Sequence, residues 1–151
     1  MTNAQLARRL RDLRDYLIIA GYDESHATRY THIARSIETM PESVEQMRRE
    51  GRLKEIPQVG PTIALYIKEI LDNGICSKQR DWESFAPFSV VEMCRVPGLG
   101  PKSAKLLFEG FGIKSLAELK AAVEGGKLNS LLSEKAREAI LETELSESSD
   151  S

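Results

Sequence analysis

Residues 96–104 read Val-Pro-Gly-Leu-Gly-Pro-Lys-Ser-Ala, and this stretch decides the fold. An apolar residue and Pro97 end one short helix, and a Gly-Leu-Gly turn reverses the chain. Pro101 then opens the next helix at its first position, where a missing N–H costs nothing. Because glycine has no Cβ and adopts positive φ readily, the turn leaves backbone N–H groups uncovered at a helix N-terminus. Such a place binds anions.

Residues 56–64, Ile-Pro-Gln-Val-Gly-Pro-Thr-Ile-Ala, repeat this pattern 40 residues earlier. The prolines, the second glycine and the final alanine align, whereas Gln58 takes the place of the first glycine. Two such turns in one short chain predict a ligand whose negative charge repeats, and a nucleic-acid backbone has this property. A tight interhelical turn kept only for packing remains an alternative at the first turn, because Gln58 adds a Cβ.

Charge and composition restrict the class of protein. The chain of 151 residues has a net charge of −2, but residues 142–151 hold four acidic residues and no base, so residues 1–141 carry +2. This balance predicts modest, salt-sensitive, non-specific binding. The sequence has no transmembrane-length apolar run and no signal peptide. We therefore expect a cytoplasmic protein, nucleoid-associated if bacterial, with no membrane partner and with Cys76 and Cys94 as reduced thiols.

Apolar residues recur at helical spacing and no stretch alternates as a strand does, which predicts an all-α chain of about nine or ten short helices. Five apolar residues of the last helix are expected to point inward: Leu131, Leu132, Ala136, Ile140 and Leu141. The predicted helical segments are 3–20, 24–39, 41–51, 53–56, 61–73, one turn within 75–87, 88–96, 101–111, 115–123 and 128–145.

These helices are expected to form two small subdomains. The N-terminal one (1–75) contains the first hairpin, and the second (88–144) contains the second hairpin. A connection (76–87) joins them, and its Trp82 serves as a buried anchor or stacks on a base. Residues 145–151 form an acidic tail that is expected to be disordered.

The two hairpins and the order of segments resemble the N-terminal region of family X DNA polymerases, over roughly residues 3–141. That region is a small helical domain followed by a second helix-hairpin-helix subdomain. Residues 29–37, 51–53 and 111–116 also match it. The second hairpin matches without a gap and the first matches apart from Gln58. In that family the first hairpin binds the downstream strand of a gap or nick, and the second binds the primer strand.

Contacts to phosphate are predicted at both hairpins, and such contacts carry almost no base-sequence information. The resemblance implies that backbone carbonyls at each hairpin hold a sodium or potassium ion, and no other cofactor is expected. The predicted DNA-binding residues are Gly60, Thr62, Gly98, Gly100, Lys102, Ser103 and Lys105. The implied cation ligands are the carbonyls of Lys54, Ile56 and Val59, and of Cys94, Val96 and Leu99.

Three departures from the family limit the chemistry. The chain has no Asp-x-Asp pair and no strands on which two catalytic metals are held, so no polymerase activity is expected. Tyr66 stands where repair members carry the lyase lysine, and tyrosine cannot form a Schiff base; Lys68 faces another side of the helix. Residues 130–135 lack the further glycine turn of related sequences. A helix-hairpin-helix glycosylase is disfavoured because residues 101–149 contain no aspartate.

The sequence therefore predicts a non-catalytic, sequence-independent DNA-binding module that acts at gapped or nicked DNA in repair. One alternative is a protein-interaction or regulatory scaffold that retains the fold, in which the acidic tail competes with DNA. Another is the N-terminal portion of a family X polymerase, or an abasic-site lyase that uses a different lysine.

Overall fold

The structure is a computed structural model that describes residues 1–145, and within them the chain is helical with no β-strand. The all-α prediction is confirmed. The α-helices are α1 (Asn3–Ala20), α2 (Glu24–Thr39), α3 (Val44–Arg49), α4 (Pro61–Asn73), α5 (Ser77–Asp81), α6 (Pro101–Phe111), α7 (Leu116–Glu124) and α8 (Glu134–Glu142). Two 3-10 segments, Leu53–Glu55 and Phe88–Arg95, lead into the two hairpins.

Helix α1 lies at the centre of the fold. It begins with a capping box, in which Thr2 and Gln5 satisfy each other's backbone N–H groups, and it ends at Gly21 in the left-handed conformation. Its leucines at helical spacing are buried against α2, α6 and the 3-10 segment Phe88–Arg95. Helix α1 also contacts α4 of the first hairpin, so it packs against elements of both hairpins.

Tyr16 of α1 ties the connection between the hairpins to the core. Its buried hydroxyl donates to the carbonyl of Ala86 at 2.6 Å, and its ring packs edge-on against Phe88 with centroids 5.1 Å apart. A buried tyrosine hydroxyl without a partner would be costly, so this bond selects one path for the connection. One apolar cluster runs from Leu6 to Ile140, so the two predicted subdomains share a core. Their boundaries stay a prediction.

Trp82 in the connection is half-buried. Its ring packs edge-on against Tyr22 at a centroid distance of 5.3 Å and lies 4.8 Å from the ring of Phe85. This packing supports the interpretation of Trp82 as an anchor.

Two predicted helix starts are wrong. Helix α3 begins at Val44 and not at Pro41, because the Ser43 hydroxyl caps it. Helix α8 begins at Glu134 and not at Leu128, because the Ser133 hydroxyl accepts from the Ala136 N–H at 3.1 Å.

The residues before α8 form turns instead. The inward orientation predicted for Leu131 and Leu141 is wrong, since they are 53% and 42% exposed. Ile140 is buried as predicted, and Leu132 and Ala136 are half-buried.

Other expectations concern the cysteines, membrane spans and the tail. Cys76 and Cys94 are free thiols, as predicted. Over residues 1–145, no helix has the length and apolar character needed to cross a membrane, and no group of three or more acidic, histidine or cysteine side chains is arranged to hold a metal ion. The predicted tail falls outside the described residues except for Leu145.

Candidate nucleic-acid interface

The two hairpins have the same backbone conformation. The residue that enters each turn is extended, with φ and ψ of −69° and 131° at Ile56 and −71° and 123° at Val96. The turn is then closed by the same bond, from the N–H of Val59 to the carbonyl of Ile56 and from the N–H of Leu99 to the carbonyl of Val96, each 3.0 Å long. The repeat in the sequence is therefore a repeat in three dimensions.

Gln58 does not change the turn. Its φ of 70° matches the 85° of Gly98, and among residues 1–145 it alone has positive φ without being glycine. A left-handed conformation costs a side-chain-bearing residue roughly 1–2 kcal/mol. The first hairpin thus keeps its shape at some energetic cost, with the Gln58 side chain exposed.

Apolar residues anchor both turns to the core. Val59 is buried and Leu99 is partly buried, as expected for the apolar residue of the turn. Ala64 and Ala104, the small residues at the end of each repeat, are buried one turn into the helix. A larger side chain at either position would push the helix away from its neighbours.

The helices that follow the turns begin without a side-chain cap. Within residues 1–145, five other helices have one, from Thr2, Asp23, Ser43, Ser115 and Ser133. At α5, the Glu69 carboxylate accepts from the N–H of Ser77 at 2.9 Å. By contrast, α4 and α6 have Gly60 and Gly100 as N-cap residues, with proline at the first helical position and no capping side chain. Their first N–H groups have no intrahelical partner and lie at the positive end of each helix dipole.

Nothing within the described chain requires glycine at these two caps. Gly60 and Gly100 have φ of −97° and −91°, which other residues adopt freely. A Cβ added at either position would meet no heavy atom within 4 Å. The space that glycine leaves is therefore open to a group from outside the protein, and an approaching anion would occupy it.

Side chains of the second hairpin add positive charge. Lys102 is 74% exposed, and its Nζ lies 3.1 Å from Oε1 of Glu24 on α2; Nζ of Lys105 lies 3.8 Å from Oε2 of Glu109. Exposed pairs of this kind contribute little to stability, so a phosphate can displace either carboxylate. Ser103 and, at the first hairpin, Thr62 are exposed beside the open N–H groups.

Helix α2 adds residues that sequence reasoning missed. Glu24 at its start contacts Lys102 of the second hairpin. Four of its residues, Ser25, Thr28, Arg29 and His32, line an open cleft with Gln58 of the first hairpin. One face of α2 therefore extends from one hairpin to the other. The spacing of these four residues on one face of α2 is visible in the sequence. Their position beside Gln58 depends on a tertiary contact that no local pattern predicts.

The carbonyls implied as cation ligands occupy equivalent places in the two hairpins. Those of Ile56 and Val96 accept the bonds that close the turns, which leaves each oxygen one lone pair. Neutral carbonyl oxygens are suitable ligands for a monovalent cation. The residues present therefore fit such an ion, whose binding stays a prediction.

The position of the family's lyase lysine holds a half-buried phenol. Burial raises the pKa of Tyr66 above its ordinary value, so the hydroxyl stays neutral. Lys68, two residues on, is exposed. In the segment that precedes α8, the Ser133 hydroxyl accepts from the N–H of Ala136; the expectation that residues 130–135 do not hold phosphate stays a prediction.

Comparison with known families agrees with this geometry. A family model described as a helix-hairpin-helix domain matches residues 1–76, just over half of the chain. A second, described as a SAM-like helix-hairpin-helix tandem, matches residues 90–144. The protein belongs to the helix-hairpin-helix family.

A more specific similarity is to the DNA polymerase/3'-5' exonuclease PolX of Bacillus subtilis (strain 168), which is 24% identical over 144 residues. The match covers 94% of this chain and 25% of the relative, so the chain spans a quarter of that protein's length. The expected resemblance to family X DNA polymerases is confirmed.

Proposed function

We propose that this protein binds DNA through its two hairpins without regard to base sequence. The proposal depends on one observation: the same turn precedes two helices, α4 and α6, and neither helix has a side-chain cap. Backbone N–H groups and a helix dipole recognise phosphate, which is the same at every nucleotide. Membership of the helix-hairpin-helix family and similarity to a DNA polymerase support the same conclusion.

The preferred substrate is gapped or nicked duplex DNA in repair. The two phosphate sites lie on one connected core. They therefore suit two DNA segments that run in different directions, as the segments on either side of a gap or nick do. The first hairpin holds one strand through the N–H groups of Gly60 and Thr62. The second holds the other through Gly98, Gly100, Lys102 and Ser103, with Lys105 nearby. A sodium or potassium ion on the turn carbonyls would link each hairpin to its phosphate.

We infer that the module acts without catalysis. The position of the lyase lysine holds Tyr66, whose pKa is raised by burial and which has no amine with which to form a Schiff base. Borohydride reduction in the presence of abasic DNA is expected to trap no covalent adduct. A trapped adduct would identify a lyase that uses another lysine.

Binding curves for gapped, nicked, single-stranded and intact DNA test the proposal. Fluorescence anisotropy at low salt is expected to give tighter binding to gapped than to intact duplex, with an affinity that falls as salt rises. Undetectable binding to every form at low salt would contradict the proposal. Equal affinity for gapped and intact duplex would remove only the preference for gaps.

A regulatory role for the tail is a second candidate, and one contact favours it. Nη1 of Arg95 donates to the carbonyl of Leu145 at 3.3 Å, which places the last described residue beside the 3-10 segment that enters the second hairpin. Glu147 and Asp150 follow in the sequence. Deletion of residues 146–151, which leaves α8 whole, is expected to raise DNA affinity at low salt. Unchanged affinity would exclude competition by the tail.

A further inference from the structure

An apolar groove of about 490 Å³ lies beside the second hairpin, between α6, α8 and the turn that precedes α8. Its lining is mainly aliphatic, including Leu107 of α6 and Ala139 of α8. Leu106 and Leu131 also line it and are 68% and 53% exposed. An accessible groove with this lining loses water readily to an apolar group.

The groove is continuous with the proposed phosphate site. Gly98 and Ser103, two of the predicted phosphate-contacting residues, also line it. Its charged lining residue is Lys135, and no carboxylate belongs to the described lining. The best occupant therefore has an anionic group for the hairpin and an apolar surface for the groove.

We propose that the groove accepts an unpaired nucleobase from the strand whose phosphate is held by the second hairpin. This inference rests on the proposed function. A nucleobase has two apolar faces and a polar edge, and the hydroxyl of Ser103 and the ammonium of Lys135 offer donors to that edge. Every base has apolar faces, so the site needs no particular sequence.

Unpaired nucleotides are favoured over paired ones because a paired base must first leave its stack. The groove thus supplies a structural reason for preferring DNA in which the strand held by the second hairpin carries an unpaired base, as at a bulge or an overhang. An apolar helix of a protein partner is the competing occupant, and it would cover Gly98 and Ser103 and so exclude DNA from the second hairpin.

The test compares a fully paired duplex with the same duplex carrying one unpaired 2-aminopurine bulge. Anisotropy measures affinity, and 2-aminopurine emission reports the environment of the unpaired base. The variant Leu106→Gln/Leu131→Gln makes the groove polar at two exposed positions. The matched control is Leu65→Gln on α4, since Leu65 is 50% exposed and lies outside the groove. Leu131→Gln alone serves if the double variant folds poorly by circular dichroism.

The native protein is expected to bind the bulged duplex about fivefold more tightly, because the aliphatic lining buries an apolar face of the base, and to change its emission. The groove variant should lose both effects and keep its affinity for paired duplex, while Leu65→Gln behaves as the native protein. Equal binding of the two duplexes with unchanged emission would overturn the proposal. Retention of the preference by the groove variant would do the same and leave the groove to a protein helix. Failure to bind either duplex, together with undetectable binding to gapped duplex at low salt, would instead refute the proposed function itself.

Discussion

Replacing Gly100 with valine tests whether the second hairpin binds phosphate, and it changes the fold little. The residue has φ of −91° and ψ of −178°, which valine adopts without strain. Its Cβ would enter space with no heavy atom within 4 Å. Loss of glycine at a helix cap costs at most about 1 kcal/mol of stability. The added methyl groups would, however, occupy the space through which a phosphate reaches the first N–H groups of α6.

The expected loss of affinity follows from the bonds that valine would block. A hydrogen bond to a charged group contributes roughly 1.5–3 kcal/mol, and the blocked site offers the N–H groups of Lys102 and Ser103. Weakening this pair by about 2–3 kcal/mol raises the dissociation constant roughly 30- to 150-fold. The first hairpin and the side-chain ammonium of Lys102 would still bind DNA, which keeps the loss of affinity within that range.

Anisotropy with gapped duplex at low salt is the assay, and Gly110→Val is the matched control. Gly110 lies in the same helix, and a Cβ there also meets no heavy atom within 4 Å. The control is expected to bind as the native protein does. If Gly100→Val binds within twofold of the native protein while folded, the open N–H groups of α6 do not bind phosphate. If Gly110→Val loses as much affinity, the effect is a general one on the helix.

Three further predictions concern other parts of the molecule. Arg29→Ala removes a positive charge from the cleft beside Gln58. The variant should bind DNA several-fold more weakly, and the slope of log affinity against log salt concentration should fall by about one. An unchanged slope would exclude a phosphate contact there. Burial raises the pKa of Asp12 from 3.8 to about 6, so the folded protein binds the extra proton and stability falls as pH rises from about 4 to 6. Asp12→Asn should then stabilise the fold against urea by about 1–2 kcal/mol at pH 7.5 and little at pH 4, and an equal gain at both pH values would refute this assignment. Tyr16→Phe should cost about 1 kcal/mol in urea unfolding because the Ala86 carbonyl loses its donor, and a neutral result would show that this bond adds nothing.

Local sequence signals predicted most of the fold because they have local causes. Helices α1, α2, α4 and α6 begin and end where proline, glycine and a capping side chain place their ends. The predicted start of α8 is wrong because Leu128, Leu131 and Leu132 continue the helical spacing of apolar residues. The Ser133 cap, also visible in the sequence, determines the start instead.

The sequence predicts the backbone conformation of the candidate site. It does not predict which side chains from other segments surround the site. The glycine and proline pattern identifies the two turns, since their conformation is set within a few residues. The pair between Lys102 and Glu24, and the cleft between α2 and Gln58, depend on how distant segments pack. The sequence does not predict the groove beside the second hairpin, because the predicted helix from Leu128 buries Leu131.

The central claim is that both hairpins bind phosphate through their open N–H groups, and amide NMR on the full chain tests it most directly. Titration of isotope-labelled protein with gapped duplex should shift two sets of amide signals most. These belong to Gly60, Thr62 and Ile63 at the first hairpin and to Gly100, Lys102 and Ser103 at the second. Saturable binding whose largest shifts fall elsewhere, or at one hairpin alone, would contradict the account.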